Sequence, residues 1–431
     1  MNARGEQIIA LIHREVKPAL GCTEPIAVAL AVAKAAEILE ADKDYDRSEA
    51  DFRIRVAVSG NILKNGMGVG IPGTGMTGLH IAAALGAVCG RSGLGLEVLG
   101  GLDAAAVGRA KHLVEDRATD ISIADTPHKL YVSAEVAVGD RSASAVIEDS
   151  HDKIVRTMLC GKVLSESDPA GEEEEETGDY GLTVKEILDF ATSALYEDIE
   201  FILDDRRLNM PLAKEGMEGD YGLCVGRTIL KDNSGLFGDH FMAYAMALTA
   251  AASDARMAGC TLPAMSNSGS GNQGITVSMP VIAYAERYGV DDERLARALI
   301  ISNLVAIHIK SYLGPLSALC GCVVASTGAA CGITWLMGGG YPQICATIKN
   351  MSGSITGMVC DGAKVGCAMK VASGVSSAIQ SAMLSLDGQC VSEHDGIIDR
   401  DIEQTIQNLG RVGSVGMEQT DEVILDIMVC K

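Results

Sequence analysis

Aromatic side chains are scarce in this sequence. Phe, Trp and Tyr make up 4% of 431 residues, with a single Trp, although hydrophobic residues reach 48% and glycine is present 49 times. Because aromatic rings supply much of the packing in ordinary cores, Ala, Gly, Ser and Met must fill this one, which favours closely approaching helices. At roughly 100–200 residues per domain, the length predicts two or three domains.

Positively charged residues are also few: the sequence has 35 Lys and Arg against 57 Asp and Glu, which gives a net charge of -22. This balance argues against a nucleic acid or an anionic membrane as partner and is silent about small substrates. A signal-peptide core is missing from MNARGEQIIALIHREV, and thirteen cysteines do not fit a short, even-numbered disulfide framework. We expect a cytoplasmic protein with reduced thiols, for which a homodimer is possible.

Residues 311–348 carry no charged side chain, which raises the question of a membrane helix. Gly314, Pro315, the glycines at 338–340 and Pro342 interrupt this segment. It therefore predicts buried helices of a soluble protein.

The expected fold class is α+β, with a small α+β domain of mixed sheet and helices and a larger, mostly α-helical catalytic domain. N-terminal helices over 5–19 and 24–39, the second capped by Thr23, occupy 1–49 and are expected to pack on the catalytic domain. Alternation in FRIRVAVSG (52–60) and three later segments predicts strands within a domain at 50–165. An acidic linker covers 166–182, and the helical domain covers 183–431.

One helix face is expected to run from Val184 to Ile202, after a capping box of Thr183 and Glu186. Further helices are predicted at 239–257, 275–288, 292–309, 316–336, 341–350, 363–384 and 399–408.

Two glycine-rich segments resemble ligand loops. Residues 68–73 (GVGIPG) match a dinucleotide fingerprint, but the preceding strand ends near residue 60 and Pro72 interrupts the turn. We interpret this segment as a mobile loop that covers substrate, with Asn61 as a polar contact. SNSGSGNQG (266–274) precedes a predicted helix, so its backbone N–H groups could bind a carboxylate or phosphate; a flexible connecting loop is the equal alternative.

Seven of the thirteen cysteines lie between residues 320 and 390. Cys320 and Cys322 stand in LCGC, and Cys360 and Cys367 are seven positions apart, whereas zinc ligands are usually two to four residues apart. Thiolates from separate glycine-rich turns suit an iron–sulfur cluster better, although buried free thiols would give the same pattern. Cys22 precedes a predicted helix N-terminus, which favours a lowered pKa and a role as base or nucleophile.

Single histidines give weaker signals. His308 lies in an apolar helix and is interpreted as a core residue. His151, in EDSHDKIV, is interpreted as part of a surface turn.

Five motifs, in order, are similar to the L-cysteine desulfidase family, whose members are also called serine dehydratase alpha-chain-like or UPF0597 proteins. They are GCTEPIAVALA, SGNILKNGMGVGIPGT, MSNSGSGNQG, LSALCGC and GMVCDGAKVGCAMK. The likeness covers about residues 15 to 415 and extends distantly to the iron–sulfur L-serine dehydratases.

This resemblance implies a lyase that converts L-cysteine to pyruvate, ammonia and hydrogen sulfide with a [4Fe-4S] cluster and no pyridoxal phosphate. It implies Cys360, Cys367 and one cysteine of LCGC as metal ligands, with Cys320 favoured over Cys322, and Cys22 as general base. The candidate substrate-binding residues are Thr23, Glu24, Asn61, Ser266, Asn267, Ser268 and Asn272.

Two alternatives stay open. The same elimination could act on L-serine or another β-substituted amino acid. A protein of another class, a cluster- or metal-binding sensor, would keep the cysteines without turnover; a nicotinamide oxidoreductase ranks last.

Overall fold

The computed structural model describes residues 2–42, 52–167, 180–231, 235–314 and 317–430. Within these ranges the chain builds two main hydrophobic cores, one around a sheet and one among helices. This confirms the α+β fold class. Most of the predicted acidic linker (168–179) and Pro315 lie outside the described residues.

The first core belongs to a six-stranded mixed sheet with strand order β3-β2-β4-β5-β6-β7. Strands β2 and β3 are parallel, and the other neighbours are antiparallel. The strands are β2 (Phe52–Val58), β3 (Thr119–Ile123), β4 (Tyr131–Val138), β5 (Arg141–Glu148), β6 (Ile154–Leu159) and β7 (Lys162–Glu166). The helices with this sheet are α2 (Thr23–Glu40), α3 (Gly60–Gly66), α4 (Leu79–Cys89) and α5 (Ala104–Glu115), with a short 3-10 helix at Ser92–Glu97.

Strand β2 forms because alternate residues are apolar: Phe52, Ile54, Val56 and Val58 are buried, and the residues between them face outward. Helix α2 joins β4, β5 and α4 in this core. Its expected packing on the catalytic domain is therefore wrong. The physical reason is that α2 is apolar on nearly every side, so it needs cover from the sheet and from α4 together.

The second core contains α1 (Ala3–Glu15) and the helices that follow residue 180. They are α6 (Val184–Ser193), α7 (Tyr196–Ile199), α8 (Asp204–Glu218), α9 (Val225–Leu230), α10 (Phe241–Met257), α11 (Gly271–Tyr288), α12 (Asp292–Leu313), α13 (Gly321–Leu336), α14 (Tyr341–Ile355), α15 (Cys367–Leu386) and α16 (Ile402–Arg411). A short π-helix (Val412–Gly416) leads into α17 (Glu418–Val429), and a two-stranded pair joins β1 (Pro18–Ala19) to β8 (Ala264–Met265).

Helices α10 to α16 confirm the seven predicted helical segments, with ends that differ by a few residues. Helix α11 starts four residues earlier than predicted, α13 and α15 start five and four residues later, and α12 and α14 end four and five residues later. The uncharged segment contains the buried helix α13 and the start of α14. Among the described residues, none of the helices combines the length and apolarity needed to cross a bilayer.

Three local predictions are wrong. The helix expected from Val184 to Ile202 breaks at Ala194, whose backbone is extended, and resumes as α7 and a 3-10 turn. The strand predicted over 52–60 ends at Val58, and residues 60–66 form the short helix α3. Thr23 does not cap α2, because Cys22 occupies the N-cap position and makes no side-chain capping bond.

The glycine-rich segment after α3 is fixed against the helical domain. Gly70 donates from its N–H to the Met257 carbonyl at 2.9 Å, and a Cβ on Gly70 would lie 2.4 Å from the Ala258 carbonyl carbon. Val69 and Ile71 are buried. The glycine is therefore explained by close backbone packing, which replaces the interpretation of a mobile covering loop.

Candidate active site

One cavity of about 290 Å³ lies where the two cores meet. Five cysteines that are far apart in the sequence contribute to its wall, namely Cys22, Cys320, Cys322, Cys360 and Cys367. All five are free thiols. The fold thus brings GCTEP, LCGC and the CDGAKVGC segment to a single site.

A short antiparallel bridge places Cys320 beside Cys360. Leu319 pairs with Val359, the Cys320 N–H donates to the Met358 carbonyl at 3.0 Å, and the Cys360 N–H donates to the Ala318 carbonyl at 2.7 Å. Successive side chains along a strand point to opposite sides. Cys320 and Cys360 each follow a residue of the bridged pair Leu319–Val359, so both project to the side opposite that pair. Cys320 is also the N-cap residue of α13.

Cys322 and Cys367 occupy different surroundings. Cys322 lies one residue into α13, where its Sγ contacts the Lys370 carbonyl at 3.2 Å. A Cβ on Gly374 would lie 2.6 Å from the same Sγ, so α15 closely covers this sulfur. Cys367 begins α15 and packs in a small cluster with Cys22.

Cys22 reaches the cavity because the chain crosses there from α1 to α2. The β1–β8 pair holds this crossing beside the SNSGSGNQG segment, with the Ser266 N–H donating to the Lys17 carbonyl at 2.8 Å. The Ser268 N–H donates to the Glu15 carbonyl at 2.9 Å. The Cys22 thiol therefore sits near the N-termini of both α2 and α11.

Arg256, in the last turn of α10, lies against these two helix ends. Its guanidinium donates to the Gly21 carbonyl at 2.7 Å and to Asn272 Oδ1 at 3.3 Å, while its buried Nε has no hydrogen-bond partner in the part of the chain that the structure describes. A Cβ on Gly271 would lie 2.3 Å from that Nε. Glycine at the start of α11 thus makes room for an arginine that is only 5% exposed.

Burial dominates the acid–base behaviour of these thiols. It raises the pKa of Cys22 to about 11 and outweighs the opposing charge of Arg256. Burial also raises the pKa of Cys320 to about 12, with further upward contributions from the neighbouring Cys360 thiol, and it raises the pKa of Cys367. The lowered pKa expected for Cys22 is thus not found in the protein alone, where desolvation exceeds the helix dipole.

The predicted substrate-binding residues separate into two groups. Thr23, Glu24, Ser268 and Asn272 line the cavity. The Thr23 hydroxyl donates to Glu24 Oε2 at 3.3 Å.

Ser266, Asn267 and Asn61 are placed elsewhere. The Ser266 hydroxyl donates to the Lys17 carbonyl at 2.6 Å. The fully buried Asn267 donates to Asn303 Oδ1 and accepts from Gln273, each at 2.8 Å. Asn61 lines a different cavity, of about 250 Å³, which α3 shares with α17. Ser266 and Asn267 therefore do not line the active-site cavity, and their hydrogen bonds hold the SNSGSGNQG loop in place.

Four further cavity residues gave no usable sequence signal: Arg256, His151, Lys310 and Lys370. Lys370 ends the GMVCDGAKVGCAMK motif, which is interpreted through its cysteines, and the other three are single residues without a motif. Lys370 donates to the Val359 carbonyl at 2.8 Å and pairs with Asp361. Burial lowers the pKa of Lys310 to about 8, although the nearby Cys360 and Cys320 thiols oppose this. His151 lies in a turn, as expected, but its Nε2 is buried and not exposed.

The spacing of the cysteines limits what they could bind. Thiolate sulfurs around tetrahedral zinc lie about 3.8 Å apart. Across the described ranges, only His128, Glu148 and Asp149 form a trio whose ligand atoms are all within 4.8 Å of one another. Cys320, Cys360 and Cys367 do not form such a close trio among the described residues, while their all-sulfur character and the cavity that they line fit a larger inorganic group.

Comparison with known proteins agrees with these motifs. Residues 116–426 match the serine dehydratase alpha chain family. A UPF0597 protein of Bacteroides fragilis is 49% identical over 428 residues, which cover 99% of this chain and 98% of that protein. Another, from Oleidesulfovibrio alaskensis, is 51% identical over 429 residues, 98% of this chain and 97% of its own length. The chain therefore belongs to the UPF0597, serine dehydratase alpha-chain-like family.

Proposed function

We propose that the protein is a lyase that eliminates hydrogen sulfide from L-cysteine and releases pyruvate and ammonia. Membership of the serine dehydratase alpha-chain family supports the general class, a dehydratase-type lyase. The observation that carries the proposal is that Cys22, the candidate base, lines the same cavity as Cys320, Cys360 and Cys367. A substrate in this cavity would meet a base and a metal-binding wall together.

The proposed reaction uses Cys22 as the proton acceptor. Its thiolate removes the α-proton, the Cα–H electron pair forms the Cα=Cβ bond, and the Cβ–S bond breaks to release hydrosulfide. The resulting aminoacrylate tautomerises to an imine, which water hydrolyses to pyruvate and ammonia. Arg256 and the N-terminus of α11 are well suited to bind the substrate carboxylate, because both present N–H donors with positive charge.

Cys320, Cys360 and Cys367 would hold a [4Fe-4S] cluster. The bridge that sets Cys320 beside Cys360, and the cover that α15 places over Cys322, favour Cys320 as the LCGC ligand. When bound, such a cluster supplies a Lewis-acidic iron at the substrate. A cation at this wall also offsets the desolvation that keeps the thiols protonated in the protein alone.

The second candidate is dehydration of L-serine by the same elimination. It is favoured by the family whose description matches residues 116–426. The two reactions differ in the leaving group, hydroxide instead of hydrosulfide, and hydroxide is the poorer one. A sensor without turnover is less favoured, because it has no need of Cys22 or of an anion-binding helix end.

Anaerobic purification followed by two parallel assays tests the proposal. Sulfide and pyruvate are measured from L-cysteine, and pyruvate alone from L-serine, with iron and the visible spectrum recorded in the same samples. We expect a brown protein with the higher kcat/KM for L-cysteine. Preference for L-serine would select the second candidate, and full activity in colourless, iron-free protein would reject the cluster.

Substitutions in LCGC test the ligand assignment. C320S is expected to lose the visible absorbance and the bound iron, whereas C322S is the matched control and should keep both. The reverse pattern would make Cys322 the third ligand.

A further inference from the structure

The small α+β domain reaches the cavity through the turn that joins β5 to β6. Asp149, Ser150 and His151 in this turn all line the cavity wall. These residues follow β5 directly, so the sheet determines their position. The other residues of the cavity wall come mainly from helices and loops. The turn is therefore a fixed part of the cavity.

Local hydrogen bonds hold this turn in place. Asp149 has a left-handed backbone with a φ of 65°, and its N–H donates to the Leu130 carbonyl at 3.2 Å. The Ser150 hydroxyl donates to Asp152 Oδ1 at 2.7 Å. None of these bonds uses the His151 ring, whose Nε2 is buried without a hydrogen-bond partner among the described residues.

The protonation state of His151 indicates which ligand group it suits. Burial lowers the pKa of His151 below its usual value, and the carboxylates of Glu24 and Asp152 only partly counter this effect. A neutral imidazole offers one nitrogen as a hydrogen-bond acceptor. With Nε2 as that acceptor, His151 suits an N–H donor from a ligand in the cavity.

Glu24 adds negative charge to the same cavity. It stands in the first turn of α2, two residues after Cys22, and accepts a hydrogen bond from Thr23. Arg256 adds positive charge, because its guanidinium donates to the carbonyl of Gly21, the residue before Cys22. The cavity therefore offers both an acidic and a basic group around one thiol, a charge distribution that matches a zwitterion.

We propose that His151 and Glu24 bind the α-ammonium group of an amino-acid substrate, while Arg256 and the N-terminus of α11 bind its carboxylate. This inference rests on the proposed function and extends it from the reaction to the residues that bind the two charged groups of the substrate. Two-point binding leaves the substrate only rotation about the axis that joins its ammonium and carboxylate groups, which limits the directions that the Cα–H bond can take relative to Cys22. The site therefore selects α-amino acids over the matching carboxylic acids.

Binding of two unreactive ligands to the anaerobic holoenzyme tests this assignment. L-Alanine has both charged groups and no leaving group, whereas propionate lacks the ammonium. We expect H151L to weaken L-alanine binding roughly 10- to 100-fold, the effect of losing one charge-assisted hydrogen bond, and to leave propionate binding unchanged. H151Q retains an acceptor oxygen and should recover part of the loss.

The matched control is H112L, because the exposed His112 on α5 belongs to the same domain and does not line this cavity. Equal weakening of both ligands by H151L, or no effect on either, would overturn the ammonium site. The turnover assays separate this result from the function itself: wild-type turnover with an unselective H151L rejects only the inference. Selective loss of L-alanine in a protein that turns over neither amino acid would keep the site and reject the lyase.

Discussion

Asp205 on α8 should make the folded protein less stable as the pH rises. The carboxyl group is 1% exposed and accepts a hydrogen bond from the Asn303 amide at 2.9 Å. Burial raises its pKa from 3.8 to about 7, against the effect of that hydrogen bond. Between these values the folded state keeps a proton that the unfolded state has lost, so its contribution to stability is complete below about pH 4 and declines until about pH 7.

The variant D205N removes this titration and keeps an oxygen that can accept from Asn303. At 1.36 kcal/mol per pKa unit, the wild type should lose roughly 3 kcal/mol of unfolding free energy relative to D205N between pH 5 and pH 8. Urea denaturation of both proteins at several pH values in this range measures the difference. Other titrating groups cancel in the comparison.

D204N is the matched control, because the neighbouring Asp204 side chain is 42% exposed and pairs with Arg207. Its unfolding free energy should follow that of the wild type at each pH. If D205N also ran parallel to the wild type across the range, Asp205 would be ionised in the folded protein and the reasoning from burial would be refuted.

Two further predictions concern close packing and a buried charge. G271A should displace the Arg256 guanidinium, because the new Cβ would lie 2.3 Å from Arg256 Nε. We expect kcat/KM to fall roughly 10- to 100-fold, with little loss of the helical circular dichroism signal. Unchanged kinetics would contradict this expectation. K64M should lower the unfolding free energy by about 2 kcal/mol, because Lys64 is 2% exposed and pairs with Asp421. K185M, on the exposed surface of α6, is the control and should lower it by almost nothing. Equal losses for the two variants in urea denaturation would contradict the effect of burial.

The long apolar helices could be predicted from the sequence because their signals are local. Helix α12 begins after Asp291, whose carboxylate accepts from the Arg294 N–H, and it continues as an apolar segment. Helix α8 gave no such signal, since Pro211 lies inside it and charged residues dilute its pattern. Its helical form depends on packing against α10, which is a tertiary effect.

The packing partner of α2 could not be read from its pattern. A helix with Ala, Val and Leu on nearly all faces predicts burial but does not say against what. The strands of the small domain follow α2 in the sequence, and only their arrangement as one sheet creates the surface that covers it.

The candidate site was predictable where several residues form a motif. The spacing of the cysteines in LCGC and CDGAKVGC indicates metal ligands, and the position of Cys22 before a helix indicates a base or nucleophile. Arg256 and His151 belong to no such pattern. Arg256 depends on a glycine fifteen positions later for space, and His151 depends on the sheet to carry a turn to the cavity.

The role of Cys22 is tested by sulfide release from L-cysteine in anaerobic C22S. Sulfide release is measured beside the wild type, with visible spectra of the same samples. We expect C22S to keep the brown absorbance and iron content of the wild type and to release no sulfide above background. Wild-type turnover by C22S would contradict Cys22 as the base, and loss of the absorbance would make Cys22 a metal ligand instead.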